Sequence, residues 1–314
     1  MKYSDIGLRV LAAKECGIVK TNAQFWGTFA DREKFNKVVL NDDRVIKTLE
    51  KISSELDSTD SAEGIICAYD DDFPFINRKV KNNGDKPYLL FYRGDLSLLN
   101  DLNKNIAVIG LTDPDEEIIK RETDIVRRLV KNDLVIVSGL AIGCDTIAHK
   151  TSLETNGKTI AILPSQLGKV YPTENRDLAE EIVRKGGLLV SEYYKDADSK
   201  YEAINRFIER DRLQAMFSKA IILIASYRKG EGDSGSRHAM EAARKYEIER
   251  YAMYNSKMDE DNKRFGLNKD LVNSKGADQV KILMPSSIDL IKSLANPNLS
   301  LDAEPNIGEQ LTLL

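Results

Sequence analysis

From Ile65 onward, short apolar runs alternate with amphipathic stretches. IAVI (Ile106–Ile109) ends at Gly110, LVIV (Leu134–Val137) at Ser138–Gly139, and TIAIL (Thr159–Leu163) at Pro164. LLV (Leu188–Val190) ends at Ser191, and AIILIA (Ala220–Ala225) at Ser226. Each run is β-branched or leucine-rich and lacks polar alternation, the pattern of strands covered on both faces. Between them lie helical spacings, such as Ile118, Ile119, Ile125, Val126 and Leu129 within Glu116–Lys131. This strand–helix alternation predicts an α/β fold with a doubly wound, mostly parallel sheet. Right-handed crossovers put the carboxyl ends of its strands on one edge, where ligands of such sheets bind.

Residues 1 to 60 read as helical and polar. Leu8, Leu11 and Ala12 give one amphipathic spacing, and Val38, Val39, Val45, Ile46, Leu49 and Ile52 another. The stretch SSELDSTDSAE (Ser53–Glu63) reads as a linker. The expected organisation is a helical region over 1–62, an α/β domain over 63–290, and a loose tail over 291–314 that holds Pro297 and Pro305. The N-terminus lacks a signal-peptide core, and no apolar run reaches about 18 residues, so no membrane span is expected.

Composition narrows the class. The chain has 314 residues, 42% of them hydrophobic, enough for a large core without disulfide staples. Cys16, Cys67 and Cys144 are widely spaced with no CxxC pair, which fits a reducing cytoplasm and argues against a cysteine-built zinc site. Lys plus Arg number 46 and Asp plus Glu 50, a net charge of −4. Binding of nucleic acid must therefore come from local clusters or from backbone groups.

Three segments carry candidate chemistry. SGLAIGCDTIAH (Ser138–His149) follows a strand and opens a helix. Gly139 and Gly143 permit tight turns, the helix N-terminus suits a phosphate, and Asp145 can cap it. Phosphate holding and close strand–helix packing both account for those glycines. GEGDSGSRHAM (Gly230–Met240) can form a backbone anion nest or a surface loop. NRFIERDRLQAMFSKA (Asn205–Ala220) is locally basic. Arg210 and Arg212 point to different sides on a helix, whereas on a bend both can face one ligand. His149 and His238 have no metal-ligand spacing around them, no GxSxG or GxxxxGK[ST] run is present, and no catalytic residue, metal or cofactor is assigned.

Read in order, YRGDLSLL (Tyr92–Leu99), IAVIG (Ile106–Gly110), VIVSGLAIGCDTIAH (Val135–His149), KTIAILPSQLGKVYPTEN (Lys158–Asn175), GGLLVSE (Gly186–Glu192), FIERDRLQAM (Phe207–Met216) and SGSRHAMEAA (Ser234–Ala243) resemble the DNA processing protein A family (DprA, also called Smf). The resemblance implies an extended Rossmann-like domain that binds single-stranded DNA, protects it, and hands it to a RecA-type recombinase in natural transformation. It implies a cytoplasmic homodimer without established catalytic activity. Residue by residue, it implies a phosphate pocket lined by Ser138, Gly139, Gly143, Arg210 and Arg212. Lys169 is a further basic candidate beside Tyr171–Pro172, Asn175 matches the YP-x-x-N asparagine, and Ser234, Gly235 and Ser236 match an SGS turn.

The chain also departs from the pattern. Where the family has Gly-Ser/Thr-Arg after the first sheet strand, Gly110 is followed by Leu111, Thr112 and Asp113, so a phosphate arginine is missing. The family's Arg-Asn-Arg is Arg210-Asp211-Arg212 here, and its Gly-rich stretch is Pro164-Ser165-Gln166-Leu167-Gly168. No helix–hairpin–helix glycine pattern or C-terminal winged helix is recognisable. The alternative is a sensor or hydrolase of a nucleotide-derived small molecule, as found in bacterial defence systems of the wider Rossmann-like superfamily, although the PGGxGTxxE signature of phosphoribohydrolases is absent. In either reading, exposed amides at the sheet's carboxyl rim, with two guanidinium groups, grip phosphate oxygens.

Overall fold

The structure, a computed structural model, describes residues 3–59, 62–232, 235–295 and 303–304. Four helices open the chain: α1 (Asp5–Glu15), α2 (Asn22–Thr28), α3 (Arg32–Val39) and α4 (Asp43–Thr59). Then follow β1 (Gly64–Cys67), β2 (Ile76–Asn77), β3 (Leu89–Gly94), β4 (Asn105–Ile109), α5 (Glu116–Lys131), β5 (Val135–Ser138), α6 (Cys144–Glu154) and β6 (Thr159–Leu163). The second half holds α7 (Arg176–Arg184), β7 (Leu188–Ser191), α8 (Lys200–Met216), β8 (Ala220–Leu223), α9 (Ser236–Lys245) and β9 (Glu249–Ala252). It closes with α10 (Ser256–Asp259), α11 (Gly266–Asn273), β10 (Lys281–Ile282), α12 (Ile288–Leu294) and β11 (Ala303–Glu304).

Among the described residues the main sheet has nine strands, in the order β1-β3-β7-β6-β5-β4-β8-β9-β10. From β7 to β10 every neighbour is parallel; Ile106 of β4 lies opposite Ile136 on one side and Ala220 on the other. β3 runs antiparallel to β7, and β1 antiparallel to β3. Strands β4 to β8 are buried at every position, as their unbroken apolar runs require. The chain winds outward from β4 in both directions, so β4 and β8 flank the topological switch point.

The expected 62/63 boundary falls between α4 and β1. The helical region nevertheless shares one core with the sheet, since Val10, Leu11, Ile52 and Leu56 cluster with Leu90 and Phe91. The stretch expected as a linker is helical as far as Thr59, because Leu56 recurs one turn after Ile52, just ahead of the stretch, and the two bury one helix face. Of the expected tail, the first part lies in α12, and Ala303–Glu304 pair with β2. Pro297 and Pro305 lie outside the described residues.

Helix α8 decides the geometry of the site. Ser199 Oγ accepts from Glu202 N (3.1 Å) and Glu202 Oε2 accepts from Asp198 N (2.8 Å), a reciprocal cap that starts the helix. The segment with Arg210 and Arg212 is therefore helical rather than bent, and the two side chains leave it on different sides.

Candidate nucleic-acid interface

At the carboxyl end of β5 the chain turns through Gly139 and Gly143 into α6. Gly143 has φ +78°, and a Cβ there would stand 2.4 Å from Leu111 O, so the turn closes against the β4 loop only with glycine. The amides of this turn already have an anion. Asp145 Oδ2 accepts from Gly139 N (3.1 Å) and Ala141 N (3.3 Å). Burial raises the Asp145 carboxyl's pKa, and the Arg210 charge partly offsets that. Ser138 Oγ donates to Val108 O (2.7 Å) and is fully buried. Asn175 Nδ2 donates to Leu140 O (2.8 Å), Ala141 O (3.2 Å) and Thr146 Oγ1 (2.8 Å), pinning the turn from the other side.

The two arginines brace α8. Arg210 is 5% exposed; its Nη1 donates to Ile162 O (2.9 Å), and its Nε lies 3.2 Å from Asp211 Oδ1. Its guanidinium lies over Gly139, where a Cβ would meet Nη1 at 1.5 Å. Arg212 points the other way, its two terminal nitrogens each 2.7 Å from a Glu192 carboxylate oxygen and its Nε 2.8 Å from Asp85 O. On the far side of the rim, Gly235 precedes α9 and Ser236 Oγ donates to Gly110 O (3.0 Å). Ser234 lies outside the described residues. The expectation of open rim amides flanked by two free guanidiniums thus gives way to a rim whose Gly139 and Ala141 amides, and both arginines, are held by the chain itself.

Asp113, in the loop lacking the family arginine, accepts from Tyr227 Oη (2.9 Å) and Arg264 Nη2 (3.2 Å). His149 is buried, with Nδ1 2.7 Å from Thr159 Oγ1, and burial pushes its pKa down to about 3, so it stays neutral. Among the described residues no group of three or more His, Cys, Asp or Glu is placed to hold a metal ion, and no helix is long and apolar enough to cross a membrane.

An open groove of about 620 Å³ lies beside this rim, between the loop after β6 and the first half of α8. Tyr171, Phe207 and Ile204 form its apolar wall, and Lys169, Arg176 and Lys200 its basic edge. The Tyr171 and Phe207 rings meet edge to face, centroids 5.8 Å apart, while Tyr171 stays 58% exposed. Arg176 and Lys200 have no ion pair among the described residues. Lys169 pairs with Asp196. Of the residues singled out from sequence, the fold brings Lys169 into the groove and sets Asn175 beneath its loop. Arg176, Lys200, Ile204 and Phe207 escaped the sequence reading. Arg176 directly follows the YP-x-x-N element and Phe207 opens the FIERDRLQAM element, which were the available signals; Lys200 carries none that is local.

Comparison with known proteins follows the same outline. Smf of Synechocystis sp. is 34% identical over 157 residues, 49% of this chain and 38% of that one. The chain spans about half the length of the curated relatives it matches. The crystal structure of DNA processing protein A from Streptococcus pneumoniae superposes with a TM-score of 0.69 at 24% identity, covering 90% of this chain and 96% of that one. A solved structure of DNA processing protein A from Helicobacter pylori, described by its single-stranded DNA binding mode, gives 0.58 at 28% identity, covering 73% of this chain and 98% of that one. The family described as DNA recombination-mediator protein A matches residues 64–283, from β1 through β10 and including the turns and groove above, and the chain belongs to that family.

Proposed function

We propose that this protein binds single-stranded DNA in the groove between the Tyr171 loop and α8. One observation carries the reading: an exposed aromatic wall beside three exposed basic side chains, at the carboxyl edge of the sheet, in a chain of this family. Bases of any sequence can stack on the Tyr171 and Phe207 rings, while Lys169, Arg176 and Lys200 follow the phosphates. The H. pylori relative, described as binding single-stranded DNA, supports the same ligand class. The family's description as recombination mediators supports extending the reading to protection of the strand and its delivery to a RecA-type recombinase. The reading keeps the cytoplasmic homodimer that the family resemblance implies and gives the protein no covalent step to catalyse.

Anisotropy titration of a labelled oligothymidylate tests it. Tyr171→Ala should weaken binding by about tenfold, the loss of one stacked base. Three phosphate contacts predict a salt slope no steeper than about −2 for a single strand. Unchanged affinity in Tyr171→Ala and in Lys200→Ala removes the groove from the site. Displacement of the oligonucleotide by micromolar mononucleotide turns the reading toward a small nucleotide ligand.

A further inference from the structure

Lys169 and Asp196 come from different crossovers, the loops after β6 and after β7, and meet at the edge of the groove. The other Asp196 oxygen, Oδ1, accepts from Gln166 Nε2 (2.6 Å), and Gln166 is buried. The loop that carries Asp196 is itself fixed: Arg206 Nη1 donates to Lys195 O (2.8 Å) and Arg206 Nη2 to Asp196 O (3.3 Å), from a buried position on α8. A carboxylate is thus held at the groove, against one of its three exposed cations. Arg176 and Lys200 carry no such partner among the described residues.

We infer that Asp196 is an internal competitor for the incoming phosphate: it occupies Lys169 as a DNA phosphate would, and binding exchanges the Asp196–Lys169 pair for a phosphate–Lys169 pair. The inference rests on the groove reading above. The exchange is easy, because both side chains are solvated, 67% and 60% exposed, and solvated pairs are weak. Lysine is a point charge on a flexible stem, so it can turn to a phosphate without losing a fixed geometry. Aspartate cannot turn away as freely, because Gln166 and the Arg206-pinned backbone keep its charge in the groove. Lys169 and Gln166 hold its carboxyl below the ordinary range, so the charge persists at neutral pH. Asp196 thereby sets affinity for the strand without touching a base.

Four proteins, wild type, Asp196→Asn, Lys169→Ala and the double variant, are titrated with labelled oligothymidylate at two salt concentrations, with Tyr171→Ala as the reference for groove binding. Asp196→Asn should tighten binding by about three- to tenfold at low salt, the effect of removing one like charge close to a phosphate. Its salt slope should steepen by up to about 0.7, because no released carboxylate takes up a cation when Lys169 moves to the phosphate. Lys169→Ala should cost less than about twofold in the wild type, where Lys169 is already engaged, yet remove most of the gain in the Asp196→Asn background. If Tyr171→Ala weakens binding while Asp196→Asn leaves it unchanged or weaker, the groove stands and the competitor role is overturned. If Tyr171→Ala has no effect, the groove reading fails and takes the inference with it.

Discussion

Arg212 separates a bracing arginine from a DNA-contacting one. In the structure its guanidinium forms a two-pronged pair with Glu192, both contacts 2.7 Å, and ties Asp85 O to α8 at 2.8 Å. The paired side chains are only 14% and 11% exposed. Arg212→Ala leaves the Glu192 carboxylate largely buried without its countercharge. Breaking such a pair costs about 3–5 kcal/mol, and the residual exposure favours the lower end. At about 2 °C per kcal/mol for a chain of this size, Tm should fall by about 6 °C. Glu192→Gln in the same chain should restore part of that loss, because the stranded charge is removed with its partner. Differential scanning fluorimetry gives Tm, and anisotropy measured well below it gives single-strand affinity. The expected result is a large drop in Tm with affinity changed less than about twofold. A variant with wild-type Tm and a tenfold weaker complex would refute the argument and return Arg212 to the ligand.

Two more substitutions test the buried rim. Gly139→Ala places a methyl 1.5 Å from Arg210 Nη1 and must expel the guanidinium from Ile162 O and from the neighbourhood of Asp145. It should cost roughly 3 kcal/mol in urea unfolding, with Gly139→Ala/Arg210→Ala less destabilised than the sum of the single changes. Glu122, buried in α5 beside Cys144 and Asp145, has its carboxyl pKa raised well above the usual range by burial. A raised folded pKa means stability that is complete at acid pH and lost as pH rises through the folded value, each unit of difference being worth about 1.4 kcal/mol. Glu122→Gln should therefore be more stable than wild type, by a Tm margin that widens between about pH 5 and about pH 8; a constant margin would argue against a buried acid.

The parallel part of the sheet was legible because its strands are covered on both faces and read as unbroken apolar runs. Helix α5 was legible to the residue, with Asp115 capping it and Arg128 and Lys131 in its last turn. The antiparallel edge was not: GIIC is too short to stand out, and LLFYRG becomes polar along its length. The groove beside Tyr171 was hidden for a different reason. Tyr171, Arg176, Lys200 and Phe207 share no periodicity, and they meet only because β6 and β7 pair in parallel and deliver their following loops to one edge. The orientation of Arg210 and Arg212 turned on whether their segment was helix or bend. That is decided by the Ser199–Glu202 cap at its start, not by the arginines or by Asp211 between them.

Acidic residues along the carboxyl rim, some within the family pattern and one, Asp113, outside it, have a common physical effect. A helix N-terminus or a turn of backbone amides accepts any anion of suitable shape, and a carboxylate on the same chain meets it at high effective concentration. Here Asp115 caps α5 by accepting from Ile118 N (2.9 Å), Asp145 takes the Gly139 and Ala141 amides, and Asp113 takes Arg264 and Tyr227. A phosphate arriving at these positions must displace a tethered group, and at Asp145 it must also disturb the buried neighbourhood of Arg210. The groove differs in kind: Arg176 and Lys200 are exposed and unpaired among the described residues, and of its exposed cations Lys169 alone has a resident carboxylate. A net charge of −4 is therefore no obstacle to binding a polyanion. Much of the acidity is spent pairwise on the chain's own cations and amides, and the field a strand meets is set by the few charges left over beside Tyr171.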